Sequence, residues 1–186
     1  GMATLLEIAN AAFIRVGAEP VASIPDTSVR GKAFDAVWPI ARQAVLKAHS
    51  WNVASKRAVL TVDATAPTWG FDSAFAVPAD SLQILEVDTV GDWRVEGGFI
   101  LADEADDLRI RYIFDLDNPA KFDASLISVL VLRAAIDIAE KITSTRSKRE
   151  LLLQEFQSAL EQARIEDGLE QSPARFEESR WITSRF

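Results

Sequence analysis

The feature that most constrains this chain is a change of hydrophobic period, from helical spacing to short β-like runs and back to helical spacing. Near the start, Leu5, Ile8, Ala9, Ala12, Phe13 and Val16 recur every three or four residues, the spacing of one apolar helix face. That pattern predicts a helix from about Thr4 to Val16. Gly17 is placed to end it, because glycine takes the left-handed C-cap conformation without a Cβ clash. Past Pro20 and Pro25, a second helical stretch is predicted from Asp26 to about Ser50, roughly 35 Å long if continuous at about 1.5 Å per residue. Pro39 lies inside it and removes a backbone hydrogen bond, so a kink or two abutting helices are expected between Val37 and Ile40. Ala33, Val37, Ala41, Ala44, Val45 and Ala48 form an alanine-rich stripe suited to close helix packing.

From Lys56 to Tyr112 the period shortens. The runs Arg57–Val62, Ala74–Val77, Leu82–Val90, Trp93–Glu96, Phe99–Ala102 and Leu108–Phe114 are rich in β-branched and aromatic residues, and Pro67, Gly70, Pro78, Gly91-Asp92 and Gly97-Gly98 separate them. This is strand-and-turn grammar. Gly97-Gly98 predicts a hairpin, since both central residues can take positive φ. Leu108, Ile110 and Tyr112 alternate with Arg109 and Arg111, as a half-buried strand should.

Helical spacing returns after Asn118-Pro119. A broad apolar face predicts a helix over Asp123–Ile142, and Thr143 to Arg146 reads as a break. Ser147-Lys148-Arg149-Glu150 has the pattern of a capping box. The last helix is expected to reach Asp167, with Leu152, Phe156, Ala159, Leu160 and Ala163 inward and Gly168 as its stop. Beyond Gln171 helical periodicity is lost, yet Phe176, Trp181, Ile182 and Phe186 are spread along the segment. The expected fold class is therefore α+β. Residues 2–54 and 118–170 form an antiparallel helical bundle, 55–117 an inserted small antiparallel β-sheet or barrel lobe, and 171–186 an extended C-terminal tail.

Composition narrows the chemistry. A length of 186 residues suits one compact domain or two small lobes sharing a core. The absence of cysteine removes disulfides, zinc knuckles and thiol nucleophiles. Gly1 ahead of Met2 reads as a cloning remnant. Glu7, Asn10 and Arg15 interrupt the apolar positions a secretory signal would need, and Arg133 and Asp137 break the longest apolar stretch too soon for a bilayer span. A net charge of -8 argues against gripping duplex DNA, because binding phosphate needs a basic surface that releases counterions.

The residues show no recognisable catalytic pattern. There is no nucleophile elbow, phosphate-binding glycine loop or His-Glu-x-x-His pair. His49, the only histidine, lacks converging metal partners. The run Asp103, Glu104, Asp106, Asp107 lacks the glycine and distal glutamate of a calcium loop. No catalytic, cofactor-binding or metal-binding residue is assigned. Trp38 and Trp51 read as core anchors, whereas Trp181, flanked by Arg175, Arg180 and Arg185, has the composition of an interface anchor.

Several stretches, in order, resemble one family. Leu5-Leu6-Glu7-Ile8-Ala9-Asn10 followed by Arg15-Val16-Gly17-Ala18-Glu19-Pro20 is similar to the first helix and turn of the tail tubular protein A family of short-tailed phages. Trp38-Pro39-Ile40-Ala41-Arg42 leading to Leu46-Lys47-Ala48-His49-Ser50-Trp51-Asn52 resembles its second helix. Phe75-Ala76-Val77-Pro78-Ala79-Asp80-Ser81-Leu82 resembles its strand entry. Val95-Glu96-Gly97, Ile100-Leu101-Ala102 and Leu108-Arg109-Ile110-Arg111-Tyr112-Ile113 follow in family order. Phe122-Asp123, Leu132-Arg133-Ala134-Ala135, Ile142-Thr143 and Ala163-Arg164 to Asp167 then resemble its C-terminal helices. Ser50, Val53 and Gln83 depart from the family pattern.

The resemblance implies a non-enzymatic virion protein without cofactors. It would be a portal-to-nozzle adaptor assembled in the host cytoplasm as a ring, generally of twelve copies, between the portal protein and the tail nozzle protein. DNA would pass through without specific binding, and no membrane would be involved. On that reading Arg175, Phe176, Arg180, Trp181 and Phe186 are expected to contact the portal. Asp103, Glu104, Asp106 and Asp107 are expected to face the channel. A head–tail connector of a long-tailed phage and a tail-associated polysaccharide hydrolase are the alternatives.

Overall fold

The computed structural model describes residues 2–142 and 145–172. The chain is α+β. Its elements run α1 (Leu5–Arg15), α2 (Val29–Ala48), β1 (Ser55–Leu60), β2 (Ser73–Ala76), β3 (Ser81–Val87), β4 (Trp93–Glu96), β5 (Phe99–Ala102), β6 (Leu108–Phe114), α3 (Ala124–Lys141) and α4 (Arg146–Leu169).

Local chemistry fixes most of the helix ends. At α1, the Glu7 amide donates to the Thr4 hydroxyl at 3.2 Å, and the Thr4 amide donates to the Glu7 carboxylate at 3.3 Å. This reciprocal box satisfies two amides that have no partner inside the helix. The helix ends as expected, with Gly17 at φ 75° and the Ala18 amide donating to the Phe13 carbonyl at 2.9 Å. Asn10 then pins the following loop, donating to the Val21 carbonyl and accepting from the Val21 amide at 3.0 and 2.9 Å.

Three boundaries differ from expectation. Helix α2 begins at Val29, because Asp26 is spent accepting from the Ser28 amide while the Ser28 hydroxyl caps Gly31. Of the two outcomes expected at Pro39, two abutting helices do not form: Pro39 lies exposed within one helix. A proline there costs about 3 kcal/mol, but Val37, Trp38, Val45 and Leu46 anchor both flanks in one core. Helix α4 is capped by Thr145, which accepts from the Lys148 amide, so Ser147 stands inside the first turn. Its far end passes through Gly168 to Leu169, because the buried Asp167 is held in helical conformation by the contacts described below.

Helix α3 is the centre of the helical part, packing against α1, α2 and α4. It is capped by Asp123, which accepts from the Leu126 amide at 2.8 Å. Buried residues surround it on most sides, including Leu126, Val129, Leu130, Ala134, Ala135 and Ile138. An aromatic chain crosses this core. Phe13 meets Phe34 edge-on at 6.1 Å, Phe34 stacks on Trp38 at 5.5 Å, and Trp38 tilts against Phe122 at 6.4 Å. Trp51, fully buried, belongs to the same core.

The β segment forms two antiparallel three-stranded sheets rather than one sheet or barrel, ordered β1-β6-β3 and β2-β5-β4. The central strand β6 is already flanked on both sides, so β5 pairs with β2 and β4 instead. Gly97 and Gly98 make the β4–β5 hairpin with φ of 55° and 83°. Phe75, Ile100 and Ala102 from one sheet meet Leu108, Ile110 and Tyr112 from the other in a second core. Ile113, Leu82 and Leu85 instead join the helical core. One end of the β1-β6-β3 sheet is thereby covered by helices.

The helical core predicts a clear hierarchy of substitutions. Phe13→Ala should cost about 3–5 kcal/mol through lost burial and a residual cavity, whereas Thr4→Ala should cost about 1 kcal/mol through the lost cap. Denaturant unfolding midpoints compare the two directly.

Candidate functional site

Three polar joints hold the helices and strands together, and each uses a residue from the stretches quoted above. The first is Arg42 on α2, 7% exposed in an otherwise apolar face. Its guanidinium donates to the Asp115 carboxylate and, at 3.2 Å, to the Leu116 carbonyl, while the Gln43 amide donates to the other Asp115 oxygen at 3.2 Å. Asp115 follows β6 directly, so this joint ties the entry side of the β segment to its exit.

The second joint clamps the last turn of α4. The His49 Nε2 lies 2.5 Å from a carboxylate oxygen of Asp167, and both side chains are almost buried. Asn52 donates through its side chain to the Asp167 carbonyl and to Glu170, each at 3.2 Å. Gln171 in turn donates to the Asn52 side-chain oxygen at 2.9 Å. Trp51 backs the joint, with its indole N–H donating to the Val45 carbonyl at 2.9 Å and the His49 ring edge-on at 4.8 Å. Without the His49 ring and the Asn52 backbone amide, which donates to it at 3.4 Å, the buried Asp167 carboxylate would carry a large desolvation penalty.

The third joint is Asp80, in the turn between β2 and β3. It accepts from Lys56 and from the Tyr112 hydroxyl, both at 2.9 Å. The Lys56 ammonium also sits 4.0 Å from the Phe114 ring centroid, a cation–π distance. The Lys56 hydrogen bond holds the Asp80 carboxyl below its ordinary range. Burial, reinforced by the Asp80 charge, pushes the Tyr112 phenol up to about 12.

The acidic residues singled out from the sequence form the β5–β6 connection. Asp103, Asp106 and Asp107 are exposed and Glu104 is half-buried. Two of them brace neighbouring loops: Asp103 accepts from the Asp72 amide at 3.0 Å and Glu104 from the Thr89 hydroxyl at 2.8 Å. The other sequence-predicted residues, Arg175, Phe176, Arg180, Trp181 and Phe186, lie outside the described residues. Among the described residues, no three histidine, aspartate or glutamate side chains form a group that could hold a metal ion, and no helix is long and apolar enough to cross a membrane.

Asp137 on α3 is a half-buried carboxyl whose pKa is raised by burial and pulled back by Arg133, its ion-pair partner at 3.2 Å. Two open grooves mark the β segment. One, about 750 Å³, is bordered by Pro67, Trp69, Phe71, Arg94, Glu96 and Phe99, with Trp69 85% exposed. The other, about 630 Å³, runs over the β1-β6-β3 sheet between Arg57, Val59, Glu86, Asp88, Arg109 and Arg111.

Sequence reasoning missed Asp167 and the structural role of Arg42. Both carried a signal: Asp167 continues the inward spacing of Phe156, Leu160 and Ala163, and Arg42 falls among the apolar positions Val37, Ala41 and Val45. A charge in an apolar stripe calls for a buried partner.

No model of a known protein family matches the chain, and a comparison with curated proteins finds no match.

Two measurements test the joints. Asp167→Ala should destabilise the fold by about 3 kcal/mol, the order found when one partner of a buried pair is removed. Adding His49→Ala should then cost less than it does alone, because the two side chains are coupled; additive losses would show that they are not. Tyr112 is the only tyrosine, so tyrosinate absorbance reports it alone, with an expected native midpoint of about 12. A phenol whose pKa is raised on folding stabilises the fold fully below its ordinary value of about 10. That contribution is lost as pH rises toward the native value. Asp80→Asn should lower the midpoint and shrink this alkaline loss.

Proposed function

We propose that this chain is a structural subunit of the portal-to-nozzle adaptor ring of a short-tailed phage, with no catalytic role. The observation that carries the reading is the ordered series of stretches resembling the tail tubular protein A family, from Leu5 to Asp167. The fold gives this series a physical rationale: Arg42, His49, Asn52, Asp80 and Asp167 make the joints between helices and strands. A part that transmits mechanical load between two other rings needs such joints, so that helices and strands move as one body.

In this reading the helices form an antiparallel bundle and the β segment an inserted lobe. One face of each subunit meets a different face of the next, the arrangement that closes into a ring when the rotation allows it. The Asp103, Glu104, Asp106 and Asp107 connection lines the channel. Like charge there lets duplex DNA slide, because no counterions are released to hold it. Arg175, Phe176, Arg180, Trp181 and Phe186 supply aromatic and cationic anchors for the portal.

Light scattering of the protein alone, and again with the portal ring from the same genome, tests the proposal. The expected result is a small species that becomes a stoichiometric ring on the portal, and loss of that complex on deleting residues 172–186. An intact portal that takes up none of the full-length chain overturns the adaptor reading. Unchanged binding of the truncated chain overturns the portal role of the tail.

A further inference from the structure

The β1-β6-β3 sheet is covered unevenly. At one end Ile113, Leu82 and Leu85 are packed into the helical core. Further along the same face of β6, beyond Ile113, Arg111 is half-buried and Arg109 lies open, opposite Arg57 and Val59 on β1. Val59 is 61% exposed, an apolar side chain set among arginines. Arg111 pairs with Glu86 at 2.9 Å and Arg109 with Asp88 at 2.5 Å. Arg57 has no ion-pair or hydrogen-bond partner among the described residues.

The end of α4 lies at the boundary between the covered and open parts. Gln171 and Ser172 border a groove of about 370 Å³ together with Ser55, Lys56, Arg57, Glu86 and Arg111. This groove shares Arg57, Glu86 and Arg111 with the larger one over the open end. The His49–Asp167 and Asn52–Gln171 contacts fix that point of departure. The next residues are Pro173-Ala174-Arg175-Phe176-Glu177-Glu178. At about 3.3 Å per extended residue, Phe176 reaches up to about 13 Å from Ser172. Arg57 borders the same groove as Ser172, and Val59 lies two residues, or about 7 Å, further along β1, a span of the same order as that reach.

We propose that, in the free protein, residues 173–178 dock on the open end of their own chain's β1-β6-β3 sheet. Phe176 covers Val59, and the Glu177-Glu178 pair meets Arg57 and Arg109. Three features select this occupant: the chain leaves α4 on this face, its length matches, and its two carboxylates complement a face whose Arg57 lacks a partner. The inference concerns the isolated chain and does not depend on the adaptor reading. Under that reading, docking would keep the segment off other partners until it is displaced.

The chain has no cysteine, so an engineered pair can be read without background. In the full-length protein, Val59→Cys with Phe176→Cys should give a disulfide within one chain under mild oxidation. It should form about tenfold faster than a Lys47→Cys/Phe176→Cys control, because docking raises the effective concentration of the two thiols. Lys47 is exposed on the last turn of α2, near the same joint but on a helix rather than on this sheet face. Adding Arg57→Glu and Arg109→Glu should slow the link, and Glu177→Arg with Glu178→Arg should restore it. Equal rates for the two cysteine pairs would overturn the proposal. So would a product linking two chains whose yield rises with concentration, since the occupant would then be a neighbour's segment.

Discussion

The fold depends on a buried guanidinium finding its partner. Arg42 sits in the apolar face of α2, and among the described residues its charge is satisfied by Asp115 and the Leu116 carbonyl, where the chain returns from the β segment. The two partners are 73 residues apart in sequence. Removing either would leave a charge inside the core, a larger penalty than the pair's net contribution to stability. The contact therefore acts on specificity. It requires the strands to leave and re-enter the helical core at one place, which sets the position of β6 and of the β1-β6-β3 sheet built around it.

The other joints extend the same logic outward. His49 and Asn52 hold the last turn of α4, and Asp80 connects the β2–β3 turn to β1 and β6 through Lys56 and Tyr112. Each joint places a carboxylate against partners that are distant from it in sequence. Apolar packing supplies most of the stabilisation but is weakly directional. Satisfied polar contacts define how packed elements are oriented. The two cores, one helical and one between sheets, are thus joined by directional contacts as well as by apolar packing.

Much of this was legible in the residues. The Leu5–Val16 spacing predicted α1 and its Gly17 end, β4, β5 and β6 begin and end where the predicted runs do, and Gly97-Gly98 made its hairpin. Ser147 and Gly168 carry local signals for a helix boundary; the competing Thr145 cap overrode the first and burial of Asp167 the second. The candidate site was less legible. Asp103, Glu104, Asp106 and Asp107 could be grouped by proximity in sequence, but Asp167 pairs with a histidine 118 positions away. No periodicity reports such a partner.

The sequence by itself determined which segments are helix and which are strand, because those choices follow from spacing within a few residues and from turn and cap chemistry. It also determined an acidic, cysteine-free surface. Only the tertiary structure decided that the strands split into two sheets, that a histidine and an aspartate meet at the end of α4, and that half of one sheet face stays open beside the chain's exit. Those outcomes depend on which distant surfaces pack together. Burial and charge pairing are properties of the assembled core, and they outweigh local preferences of about 1 kcal/mol per residue.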